Sequence, residues 1–159
     1  MPIDPDTFRS VVGRFASGVT IVTTRDAAGT DHGMTVSAFC SLSLSPPLVL
    51  VCIDRTATMH DVMSTSESFV VNVLAAGQEA LSRRFSTPEA SHRFDGIGYT
   101  RASGGAAMIE EALAYIECRM VSHCPGGDHS IFVGEVEAAT ARSERPLLYY
   151  RGGYAQLER

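Results

Sequence analysis

From His32 to Ser45, apolar and hydroxyl-bearing residues alternate along the chain. Met34, Val36, Ala38, Cys40, Leu42 and Leu44 fall on one side of an extended segment. Thr35, Ser37, Ser41, Ser43 and Ser45 fall on the other, with Phe39 among them. A period of two sustained this long predicts a half-buried β-strand. At about 3.3 Å per residue the strand is long for a globular protein, so a bend or bulge is expected within it. Pro46-Pro47 cannot donate to a ladder and marks the turn that follows. Leu48 to Ile53 has no alternation and reads as a strand buried on both faces. The hydroxyl side has two readings, a solvated sheet surface or a wall of neutral hydrogen-bonding groups lining a cleft. The pattern by itself favours the first, whereas the ring of Phe39 on the polar side argues for the second.

Elsewhere the pattern alternates between the two periods. Asp4 to Gly18 reads as a helix, with Asp4 as cap, Pro5 at its first position, Gly18 as stop and an apolar stripe of Phe8, Val11, Val12 and Phe15. Val19 to Thr24 is a β-branched strand, turned back by Asp26-Ala27-Ala28-Gly29. Thr56 to Met63 and Gly77 to Phe85 are expected as short helices, the first opened by Thr56 or Thr58. Phe69 to Leu74 is a buried strand between them. Ser86 to Gly105 is polar and glycine-bearing and reads as a long surface loop with short extended pieces. Ala112 to Cys124 and His129 to Ala141 form a strand pair around Pro125-Gly126-Gly127-Asp128. Pro146 to Tyr150 and Tyr154 to Leu157 close the chain. Strands with short inserted helices, and no linker or repeat, predict one mainly β domain over residues 1–159, a small antiparallel barrel.

Composition narrows the chemistry. The 159 residues suffice for one domain with a real core. No apolar run approaches the roughly 18 residues of a membrane helix. The acidic N-terminus does not resemble a signal peptide, so a cytoplasmic location is expected. A net charge of −5 without a basic cluster argues against nucleic acid as partner. All 13 basic residues are Arg. A chain without Lys has no Schiff-base or P-loop lysine, so any phosphate must be held by Arg, hydroxyls or backbone N–H groups. Cys40, Cys52, Cys118 and Cys124 form no Cys-x-x-Cys pair and read as reduced thiols. Cys118, His123, Cys124 and His129 match no usual zinc spacing, and His123 points away from the two cysteines on a strand; no metal is expected. Gly96-Ile97-Gly98 lacks the third glycine and the helix of a dinucleotide fingerprint.

Three places are candidates for chemistry. A helix opening at Asp54-Arg55-Thr56-Ala57-Thr58 offers free N–H groups and the Thr58 hydroxyl to a phosphate; alternatively it is an ordinary capped helix with a surface Arg. His129 follows a glycine turn and opens an apolar strand, where a neutral imidazole orients a ligand or simply bonds within the turn. Arg93-Phe94, with Tyr149, Tyr150, Arg151 and Tyr154, suits a flat anionic dinucleotide, or core and subunit packing.

Taken in order, these stretches resemble the short-chain flavin reductase family, the reductase partners of two-component flavin-dependent monooxygenases. The resemblance is carried by Gly33-Met34-Thr35-Val36-Ser37-Ala38-Phe39, Ser41-Leu42-Ser43-Leu44-Ser45-Pro46-Pro47, Phe69 to Leu74, Arg93-Phe94, Gly127-Asp128-His129-Ser130 and Pro146 to Tyr154. It implies a homodimeric split β-barrel that binds FAD or FMN and oxidises NADH or NADPH. It implies that Thr35, Val36, Ser37 and Ser41 meet the flavin, that Cys52, Ile53 and Asp54 flank its rings, and that Thr58 sits by the phosphates. Arg93 and Phe94 would close over the cofactor, and His129, Tyr149, Arg151 and Tyr154 would meet the nicotinamide nucleotide. A separate monooxygenase would receive the reduced flavin. An oxidase on the same barrel and a non-catalytic flavin carrier remain open as alternatives.

Overall fold

The computed structural model describes residues 1–158. Its strands are β1 (Ser17–Gly18), β2 (Thr20–Arg25), β3 (Asp31–Val36), β4 (Phe39–Ser43), β5 (Leu48–Asp54), β6 (Ser68–Val73), β7 (Tyr99–Arg101), β8 (Ala107–Ile109), β9 (Ala114–Gly126), β10 (His129–Ala141), β11 (Leu147–Tyr150) and β12 (Gly153–Gln156). Three short helices join them, α1 (Pro5–Val12), α2 (Thr58–Thr65) and α3 (Glu79–Arg84).

One antiparallel sheet of seven strands, in the order β3-β2-β6-β9-β10-β5-β4, forms the body. Its edge strands, β3 and β4, are consecutive in the chain and separated only by Ser37 and Ala38. The three Cα–Cα steps from Val36 to Phe39 span no more than about 11 Å, so the sheet has to curl until its edges come together. At that seam Phe39 donates to the Ser37 carbonyl (2.9 Å) and Cys52 to that of Ala38 (2.9 Å), and no ladder joins β3 to β4. This is the split barrel. Its core is built on Val22, Val51, Ile53, Phe69, Val71, Met63 and Phe132. A second cluster, with Ile21, Leu74, Phe85, Ile109 and Leu147, fills the space under α3 and the small sheet β1-β11-β12.

The barrel corrects several expectations. The long alternating segment is two strands with a corner at Ser37–Ala38, and the corner changes which residues point inward. Phe39 packs against the core, whereas Leu42 is exposed and Leu44 is 91% exposed. β5 does alternate: Val49, Val51 and Ile53 are buried, while Leu48, Leu50, Cys52 and Asp54 are half-covered on the outer face. The first helix ends at Gly13, whose N–H returns to the Arg9 carbonyl at 2.9 Å, so Gly18 lies in a strand instead. Its stripe of Phe8, Val11, Val12 and Phe15 is exposed, Phe15 by 83%. The Ser86 to Gly105 stretch, by contrast, carries a short extended piece as expected: β7, which pairs with β8 as a hairpin.

Turn chemistry fixes two hairpins. Arg151 (φ 53°) and Gly152 (φ 76°) both take the left-handed conformation between β11 and β12, as a two-residue type I′ turn requires. Between β9 and β10 the turn is Gly127-Asp128, with Gly127 at φ 68°.

Candidate active site

β5 and β10 pair so that Asp54 stands opposite His129, and Ser130 opposite Ile53. The chain then leaves β5 through a tight turn into α2. Asp54 anchors that turn: its Oδ1 accepts from the Thr56 N–H (2.8 Å) and hydroxyl (2.7 Å). These two bonds, backbone first, hold its carboxyl below the usual aspartate range, with His129 and His60 nearby as smaller contributors. Thr56 is thereby spent on the turn. The residue before α2 is Ala57, which caps the helix with no side-chain hydrogen bond, and exposed Thr58 is the first helical residue. The first-turn N–H groups of α2 therefore lack the side-chain acceptor that usually covers them.

Thr58 lines a cavity of about 20 Å³ together with Gly33, His32 and Arg93. Arg93 reaches back from the loop after α3. Its Nη1 donates to the Gly33 carbonyl at 2.7 Å and its Nη2 to that of Thr87. Its Nε is buried and has no hydrogen-bond partner among the described residues. Burial pushes this guanidinium below its ordinary pKa. An uncapped helix start with an arginine lining the same cavity, whose wall Asp31 also shares, suits an anionic group such as a phosphate at the cavity mouth.

The other expected residues fall into three settings. Ser37 and Ser41 are exposed along the seam, and Cys52 is half-buried beside it. Burial, with Cys40 and Cys124 nearby, raises the Cys52 thiol pKa, so the sulfur stays protonated. Thr35, Val36 and Ile53 point elsewhere. The Thr35 hydroxyl donates to the Ser82 carbonyl (2.7 Å), Val36 is buried with its carbonyl taken by Thr20 (2.6 Å), and Ile53 offers a ligand only backbone. Phe94 also faces inward. Its ring lies edge-on to Phe85 (5.1 Å) and Tyr99 (5.9 Å), so Arg93 alone of that pair reaches the cavity.

His129 is at the rim. Its Nδ1 lies 2.7 Å from the Asp128 carboxylate, which fixes the proton on Nδ1 and leaves Nε2 free. The Arg55 N–H donates to the Asp128 carbonyl (2.9 Å) and ties this turn to the start of α2. Tyr149, Arg151 and Tyr154 lie apart, on the small sheet. Tyr149 and Tyr154 stack edge-on at 5.5 Å, and the Tyr154 hydroxyl is 2.7 Å from Ser82 Oγ. Within the chain this cluster and His129 are not hydrogen-bonded to each other among the described residues. A residue that the sequence pattern does not single out is His60, whose Nε2 is 2.8 Å from Ser130 Oγ. Its position two residues after Thr58 is the one local signal for it.

A groove of about 1010 Å³ lies toward the other end of β10 and contains none of these residues. Within it Arg119 lies 3.6 Å from Glu137 and also bonds Glu135 (2.8 Å), and Glu117 accepts from the Ser103 N–H (3.2 Å).

The split barrel thus leaves the start of α2 uncapped near half-buried Arg93, with His129 at the end of β10 opposite Asp54. Comparison with known proteins supplies the class. Residues 12–158 match the family model described as "Flavin reductase like domain", and the chain belongs to that family. It is 43% identical over 153 residues to the reductase component of 4-nitrophenol 4-monooxygenase/4-nitrocatechol 2-monooxygenase of Rhodococcus opacus, covering 96% of this chain and 81% of that one. It is 40% identical over 158 residues to the flavin reductase (NADH) of Kitasatospora aureofaciens, covering 97% and 82%. Among solved structures, the NADH:FAD oxidoreductase of Streptomyces globisporus, in complex with NAD and FAD fragments, superposes with a TM-score of 0.91 at 37% identity, covering 99% and 96%.

Proposed function

We propose that this protein is an NAD(P)H:flavin oxidoreductase that moves a hydride from NADH to FAD or FMN and passes the reduced flavin to a separate flavin-dependent monooxygenase. The observation that carries the reading is that Thr58, at the uncapped α2 start, and Arg93 line the same small cavity. When bound, the flavin supplies the hydride-accepting ring and the reduced nicotinamide supplies the hydride. The work left to the chain is to hold and align. The α2 N–H groups, Thr58 and Arg93 would hold the phosphates. Ser37, Ser41, Cys52 and the Ile53–Asp54 backbone would flank the rings. Thr35, Val36 and Phe94 would act from behind, by fixing the wall against α3 and the second core cluster. His129 would offer Nε2 to the nicotinamide, and Tyr149, Arg151 and Tyr154 would meet the rest of that nucleotide from the small sheet.

The working unit is a homodimer. In one protomer Phe8, Val11, Phe15, Leu42 and Leu44 are exposed, more large apolar surface than a monomer usually leaves uncovered. Residues 1–159 act as one domain in the cytoplasm, where nicotinamide nucleotides are at hand and four free cysteines stay reduced. No helix among the described residues is long and apolar enough to cross a membrane.

The test is NADH oxidation with and without added free flavin. Turnover that depends on free flavin supports the reductase. A tightly held flavin with slow NADH oxidation points to an oxidase on the same barrel, and binding without turnover to a carrier.

A further inference from the structure

We propose that His60 is a positioning residue for the nicotinamide subsite, acting through Ser130 to fix His129 relative to helix α2. The inference rests on the reading above, in which His129 receives the nicotinamide. Ser130 is buried, so its hydroxyl has to find a partner inside the protein. It finds one 70 residues away in sequence, on a different element: His60 Nε2 at 2.8 Å. The imidazole is held for that contact. Its side chain is only 14% exposed, and its ring stands edge-on to buried Phe132 at 5.6 Å and 73°. The opposite nitrogen has only a long contact, 3.4 Å to the solvent-exposed carboxylate of Asp61. The directed bond of this histidine is therefore the one to Ser130.

The position of that bond gives it a task. His60 lies one turn inside α2, whose open start carries Thr58. Ser130 is the chain neighbour of His129. The first residues of β10 are also fixed by the ladder to β5 and β9, by the Gly127-Asp128 turn and by the Arg55 N–H to the Asp128 carbonyl (2.9 Å). Strand ends fray, and a side-chain latch from another element to Ser130 itself limits that motion further. The His60–Ser130 bond thus joins the helix expected to hold the flavin phosphates to the residue expected to orient the second nucleotide.

The chain has five histidines, so their Cε1–H signals can be followed individually in ¹H–¹³C spectra of the ligand-free protein. His60→Leu and Ser130→Ala should each shift the His129 signal, the double variant should match the singles, and His60→Gln should return it toward wild type. In steady state the two single variants should raise the KM for NADH about three- to tenfold, the effect of one lost hydrogen bond, with kcat within about twofold and flavin affinity unchanged. An unmoved His129 signal would overturn the proposal. So would additive losses in the double variant, or a lower melting temperature with unchanged KM. Wild-type protein that fails to oxidise NADH with added flavin would instead refute the reductase reading, while the spectra still decide whether His60 positions His129.

Discussion

Thr58 and Arg93 line the same small cavity, one from the first turn of α2 and the other from the loop after α3. Their convergence brings a hydroxyl and a guanidinium to one concavity at the uncapped start of α2.

Thr58→Ala should weaken FMN and FAD while leaving riboflavin binding nearly unchanged. One lost hydrogen bond to a charged group costs about 1.5–3 kcal/mol, which corresponds to roughly ten- to a hundredfold in affinity. Fluorescence titration of the three flavins checks this. Equal weakening of FMN and riboflavin would move the phosphate elsewhere.

His129→Ala should raise the KM for NADH and slow flavin reduction a few-fold to about tenfold, with flavin affinity little changed. Alignment is the role argued for Nε2, and an essential proton donor would cost about a hundredfold or more. Stopped-flow reduction of bound flavin across pH 6 to 9 separates the two. A thousandfold loss with normal NADH binding would defeat the orienting role.

The wild-type protein should sediment as a dimer at micromolar concentration. Leu44→Arg puts a charge on a side chain already open in one protomer and should shift the protein toward monomer without lowering protomer stability, if that surface meets a second copy. A wild-type monomer that binds flavin normally would rule the dimer out.

Asp31 is bonded bidentately by Arg101, and that bond first, with the nearby charges of Arg101 and Arg25, holds its carboxyl below the ordinary value of 3.8. A carboxylate whose pKa falls on folding stabilises the protein fully above its unfolded pKa. The contribution is lost as pH drops through the folded value. Asp31→Asn should therefore melt below wild type at pH 7, and the gap should close progressively below about pH 4. A gap of constant size would mean that the ion pair contributes nothing.

Periodicity made most of the barrel legible. β2, β5, β6, β9 and β10 lie close to where β-branched runs, alternation and turn residues put them, although β5 alternates where burial on both faces is expected. What escaped was set by contacts distant in sequence. Nothing local tells that Phe94 turns into the core or that the Tyr154 hydroxyl is met by Ser82. The stripe on α1 is amphipathic whichever molecule covers it, so its exposure could not be read from spacing. His60 was passed over because its partner lies on a strand 70 residues later.

The seam at Ser37–Ala38 also sets how this chain can change in length. Adding one residue there would turn every β4 side chain to the opposite face against β5, because strand faces alternate residue by residue. Removing one would pull apart edges that already meet across the shortest span. The stretch between α3 and β7 can lengthen at the modest entropic cost of a larger loop. Insertions and deletions should therefore be tolerated in that stretch and lethal to folding at the seam, whatever residues are introduced.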